Sequence, residues 1–125
     1  MLDTSVLIRG PEPPIEIDAG ISTISLAELY FGVLTAPDEN ERAHRTTQLG
    51  VVEANFEALP LDESVARALG QLQTAVENRG ANPRKRTADL VIAATAMVHE
   101  AALFTRNSKD FKLVDDLLDV RILTD

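Results

Sequence analysis

Carboxylates are the only abundant side chains in this 125-residue sequence that could do chemistry. There are 20 Asp and Glu against 12 Lys and Arg, no cysteine, and two histidines, His44 and His99. Thiol nucleophiles, disulfides, zinc–thiolate sites and iron–sulfur clusters are thereby excluded, and two histidines cannot build a multi-histidine centre. Four acids stand out by position. Asp3 interrupts an apolar stretch between Leu2 and Val6-Leu7-Ile8, where a strand disfavours it and burial without a partner is costly. Glu28 follows the second strand in Ser25-x-x-Glu28, a spacing that also fits a helix capping box. Asp89 lies in the first turn of an Ala-rich helix, where the macrodipole favours an anion, directly after Arg84-Lys85-Arg86. Asp110 ends a short polar loop after a later strand and could simply be a cap. Carboxylates gathered without basic partners raise one another's pKa values, and a divalent cation is the usual relief. All-oxygen donors suit Mg²⁺ or Mn²⁺, which activate water and stabilise the leaving oxygen in phosphodiester hydrolysis.

For these four to meet, the chain must alternate strands and helices, and its hydrophobic periodicity does so. Strands are expected at Met1 to Thr4 (with Val6-Leu7-Ile8 continuing apolar), Ile21 to Ile24, Leu59 to Leu61, Ala102 to Thr105 and Val120 to Leu123. Helical spacing marks Ser25 to Leu34, with Leu26, Leu29, Tyr30 and Val33 on one face, and a long polar stretch from about Glu39 to Phe56. A third helix should start at an Asp62 N-cap, carry Val65, Ala66, Leu69, Leu72, Ala75 and Val76, and stop at Gly80. A fourth runs from a Thr87 cap and Ala88 to about Ala101, its Ala93, Ala94 and Ala96 allowing close packing. Gly10 to Pro14 is a breaker, and Ala81 to Arg86 and Arg106 to Asp110 are loops. The result is one α/β domain over residues 1–125 with a mostly parallel sheet, whose ligands belong beyond the carboxyl ends of the strands.

The formal net charge of −8 excludes a protein that coats nucleic acid with its whole surface, but not one that meets it through a local patch and a metal. Arg79, Arg84, Lys85 and Arg86 place 4 of the 12 positive charges within eight positions. No stretch is apolar enough to cross a membrane, and the start does not read as a signal peptide. The lack of cysteine fits a reducing cytoplasm.

Four blocks in order, Leu2-Asp3-Thr4-Ser5-Val6-Leu7-Ile8, Ile24-Ser25-Leu26-Ala27-Glu28-Leu29-Tyr30-Phe31-Gly32, Ala88-Asp89-Leu90-Val91-Ile92-Ala93-Ala94-Thr95-Ala96 and Thr105-Arg106-Asn107-Ser108-Lys109-Asp110-Phe111, resemble the PIN-domain ribonucleases. Within them the sequence is similar to the VapC toxins of bacterial toxin–antitoxin pairs. The resemblance implies a three-layer α/β/α fold with a five-stranded, mostly parallel sheet. It implies catalytic Asp3, Glu28, Asp89 and Asp110, with Asp3 and Asp89 as the principal ligands of Mg²⁺ or Mn²⁺. Ser5 matches a small polar residue that orients the first Asp, and Asn107 stands where some relatives carry an acid. Cleavage of RNA, often tRNA or rRNA, a homodimer and a VapB-like antitoxin seated in a groove are implied too. Arg84, Lys85, Arg86, Arg106 and Lys109, with Arg79, are then expected on RNA phosphates, although a solvated loop explains them as well.

Two other readings compete. A phosphoacceptor receiver domain is also acidic and of this length, but Asp3 has no acidic neighbour and only Lys112 follows Asp110 nearby. A degenerate PIN-like module that merely binds a partner would not need all four acids.

Overall fold

A computed structural model describes residues 1–9 and 20–124, with the Arg9 side chain left aside. The elements are α1 (Thr4–Arg9), β1 (Gly20–Ser22), α2 (Thr23–Leu34), α3 (Glu39–Asn55), β2 (Glu57–Leu59), α4 (Glu63–Asn78), a 3₁₀ turn (Pro83–Arg86), α5 (Thr87–Val98), β3 (Leu103–Thr105), α6 (Ser108–Phe111) and β4 (Val120–Ile122). β1 pairs in parallel with β2, and β3 with β4. Leu2 bridges in parallel to both Ile21 and Phe104 and so joins the two pairs. The order across the sheet is therefore β2, β1, the Leu2 segment, β3, β4. Among the described residues that makes four three-residue strands and one bridging segment, where five strands are expected from sequence.

Side-chain alternation along each strand builds the three layers. Met1, Leu59, Leu103 and Val120 point to a core shared with Val65, Leu72 and Val76 of α4 and with α5. Their neighbours Leu2, Ala58 and Phe104 point to the opposite core, with Val6, Leu7, Leu26, Leu29 and Val52 of α1, α2 and α3. In α5, Leu90 to Ala96 are all buried, as befits a helix enclosed on every side, and the alanines let its neighbours approach. Side chains cap α3 and α4: Asp38 accepts from Glu41 N at 2.7 Å and Asp62 from Val65 N at 2.9 Å. Gly80, at φ 86°, takes the left-handed conformation that closes off α4.

Several local expectations are corrected. Val6-Leu7-Ile8 is helix rather than strand, because Val6 and Leu7 both enter one core while Ile8 is exposed, a pattern that period-two alternation cannot give. The second strand stops at Ser22, and Thr23 and Ile24 already belong to α2. Ser22 caps that helix through Ile24 N, so the Ser25-x-x-Glu28 capping box is not used. β2 lies at Glu57–Leu59, ahead of Pro60, whose missing N–H suits it to the end of a strand. Thr87 is the first residue of α5, not its cap, and its hydroxyl donates to the Arg84 carbonyl. The two expected loops contain the 3₁₀ turn and α6. Gly10 to Pro14 lies outside the described residues.

Leu72 is 1 % exposed between α4 and α5, whereas Leu34 is 74 % exposed at the end of α2. Leu72→Ala should cost about 2–5 kcal/mol, and Leu34→Ala only a few tenths. Chemical denaturation of both variants checks the difference.

Candidate active site

The parallel sheet turns all its carboxyl ends to one edge. Asp3 follows the bridging Leu2 there, and Thr105 ends β3 there. The helix α5 runs back to the start of β3, so its first turn, with Asp89, lies at the same edge. Asp3 is 3 % exposed and its main chain is held in the sheet by a bond from its N–H to the Phe104 carbonyl. Its Oδ2 accepts hydrogen bonds from Ser5 Oγ and from Thr105 Oγ1, each at 2.7 Å. Those hydroxyls are themselves aimed: Ser5 Oγ accepts from Arg106 N at 3.0 Å, and Thr105 Oγ1 from Asn107 N at 3.0 Å. Both charge-assisted bonds fall on one carboxylate oxygen, which fixes the plane of the group. Thr105 has no place among the site residues named from sequence. Its only signal there is a polar residue closing an apolar strand.

Glu28 lies one turn after Ser25 on α2 and is exposed. Its Oε1 accepts from Thr4 Oγ1 at 2.7 Å, and Ser25, fully buried, stands 2.9 Å behind that hydroxyl. Asp89 is half-buried in the first turn of α5. Burial above all, and then the charges of Asp110, Asp3 and Glu28, push its carboxyl up to about 7, while Arg86 pulls the other way. Burial and the Asp3 charge likewise raise Asp110 in α6, again against Arg86. The four acids singled out from sequence thus share one electrostatic neighbourhood. Among the described residues no three acid or histidine side chains close up into a ready-made ligand set. The four are nevertheless an all-oxygen set whose members repel one another, which is the environment a hard dication fits.

Asn107 is the N-cap of α6, and its Oδ1 accepts from Lys109 N at 3.3 Å. Arg84, Lys85 and Lys109 are exposed, while Arg86 and Arg106 are half-buried. Arg79 is drawn away from this edge: it grips Asp116 through two bonds of 2.8 and 2.9 Å and also donates to the Leu113 carbonyl. Beside Glu28, a cavity of about 370 Å³ opens between α1, α2 and α3, lined by Ile8, Leu29, Gly32, His44 and Arg45.

A family profile for the PIN domain matches residues 1–117. The chain belongs to the PIN-domain family. Over 130 aligned residues it is 34 % identical to Ribonuclease VapC5 of Mycobacterium tuberculosis, covering 98 % of this chain and 93 % of that protein. The crystal structure of VapBC-5, a toxin–antitoxin system of Mycobacterium tuberculosis, superposes with a TM-score of 0.79 at 33 % identity, over 99 % of this chain and 96 % of that one. VapBC2 from Rickettsia felis, bound to a DNA fragment from its promoter, also gives 0.79, at 26 % identity over 99 % and 98 %. Likeness of this extent places the chain in the VapC branch of the PIN domains and sets the receiver-domain reading aside.

The sign of the Asp89 effect on stability is definite. Its carboxyl ionises near 3.8 in the unfolded chain but near 7 in the fold, so the unfolded state releases its proton first as pH rises. Native stability therefore falls through that window. In the absence of divalent ions, Asp89→Asn should raise Tm relative to the parent chain at about pH 8 and hardly at all at about pH 4. Thermal melts at both values check this, and an equal gap at both would contradict the electrostatic picture.

Proposed function

We propose that this chain is the toxin of a VapBC-type pair, an endoribonuclease that depends on Mg²⁺ or Mn²⁺ and works through Asp3, Glu28, Asp89 and Asp110. The observation that carries this reading is the gathering at one sheet edge of Asp3, bonded to Ser5 and Thr105, Glu28, bonded to Thr4, and Asp89 in the first turn of α5. Asp3 and Asp89 would hold the ion, with Glu28 and Asp110 completing the acidic edge. The ion, when bound, lowers the pKa of a coordinated water and offsets charge on the reacting phosphate. The protein's own part is positional: Ser5 and Thr105 hold Asp3 in one plane, and the Thr4 hydroxyl holds Glu28. Arg84, Lys85, Arg86, Arg106 and Lys109 would then meet RNA phosphates around this edge, with tRNA or rRNA as the substrate class.

The same reading includes a homodimer, a VapB-like antitoxin and a cytoplasmic location. Among the described residues no helix is long and apolar enough to cross a membrane. An antitoxin segment has a natural seat at the α2 face, where Tyr30, Phe31 and Leu34 are 50 %, 68 % and 74 % exposed beside the cavity. A cationic residue from it would be drawn toward the acidic edge.

Cleavage of an RNA pool should require Mg²⁺ or Mn²⁺, stop with EDTA, and fall by a factor of at least about 10² in Asp89→Asn, a loss typical of removing a charge-stabilising group. Undiminished cleavage by that variant would overturn the site. Leu34→Ser should weaken capture of the partner antitoxin in a pull-down while leaving RNA cleavage in place, because the side chain is 74 % exposed at the end of α2 and the change adds no charge near Glu28.

A further inference from the structure

Thr4 is a polar residue, 8 % exposed, at the first position of α1. In the body of a helix a threonine hydroxyl can turn back onto the carbonyl one turn earlier. At the first helical position no such helical carbonyl precedes it, so Oγ1 is free to serve another group. Two acceptors lie within its reach, Glu28 Oε1 at 2.7 Å and Ser25 Oγ at 2.9 Å. The hydroxyl has one proton, and the ionised carboxylate is both the nearer and the stronger acceptor, so Glu28 takes it. Ser25, 0 % exposed, closes the space behind Thr4. Glu28 itself is exposed, and an exposed glutamate otherwise spreads over several rotamers, an entropy that must be overcome each time it is used. Thr4 stands next to Asp3 in the chain, so one short segment holds one carboxylate and provides the handle for a second.

We propose that Thr4 is a positioning residue that fixes the Glu28 side chain beside Asp3, with Ser25 as its buried backing. The inference rests on the ribonuclease reading only for its effect on turnover; the fixing of Glu28 stands on the fold alone. Three variants test it: Thr4→Val, which keeps the shape and removes the hydroxyl, Thr4→Ser, which keeps the hydroxyl, and Glu28→Gln. In the metal-free protein, NMR relaxation of the Glu28 side-chain methylenes should report an ordered group in the parent chain and in Thr4→Ser, and a mobile one in Thr4→Val. In RNA cleavage, Thr4→Val should lower kcat about tenfold with KM nearly unchanged, Thr4→Ser should restore most of it, and Thr4→Val should add little in a Glu28→Gln background. Equal Glu28 order in Thr4→Val and the parent chain, or losses that multiply in the double variant, would overturn the proposal. If the methylenes behave as expected while no parent protein cleaves RNA, the positioning role stands and the ribonuclease reading falls.

Discussion

Four carboxylates crowded at the carboxyl edge of one small sheet repel each other, and most of what is distinctive in this structure follows from how that repulsion is contained. Among the described residues, neutralisation of Asp89 and Asp110 by fixed cations is partial. Arg86 opposes the upward push on Asp89 and Asp110 without cancelling it, and Arg79 is committed elsewhere, to Asp116. Instead the charges are steadied by neutral donors. Ser5 and Thr105 serve Asp3, and Thr4 serves Glu28. Hydroxyl donors stabilise an anion without removing its charge, so the edge keeps a negative potential.

The fold earns this arrangement by geometry. Parallel pairing sends every strand's carboxyl end the same way, and the crossover helix α5 must return to the start of β3, which brings its first turn to that edge. Close packing of α5 through its alanines holds Asp89 against the sheet, and the resulting burial is the largest cause of its shifted ionisation. Packing and electrostatics are therefore one design here. A bulkier residue at Ala93 or Ala94, both 0 % exposed, would move the helix and with it the carboxylate.

Much of this can be read from the residues alone, where the signal is local or strongly periodic. Asp62 announces its helix, Gly80 ends it, and the small residues of α5 mark a buried helix. Asp3 is legible as an acid in apolar company. What cannot be read depends on contacts between distant segments. Val6-Leu7-Ile8 has strand-forming residues, yet tertiary packing makes it the core side of a short helix. Ser25 and Glu28 have the spacing of a capping box, but the helix starts earlier because Ser22 supplies the cap, and both residues are released for Thr4. Thr105 acquires its part only because β3 lies beside the Leu2 segment. The capping of α6 by Asn107 is likewise visible only once that short helix is seen.

The Leu2 segment is the seam between the two strand pairs, and Asp3 is bonded across 102 positions of chain to Thr105. Thr105 must therefore have left the ribosome before this oxygen finds its hydroxyl. Loop closure over such a span is entropically slow relative to local helix formation. The hydroxyl array that steadies Asp3 is thus withheld until β3 has been made, and a truncated product ending before β3 is born without it.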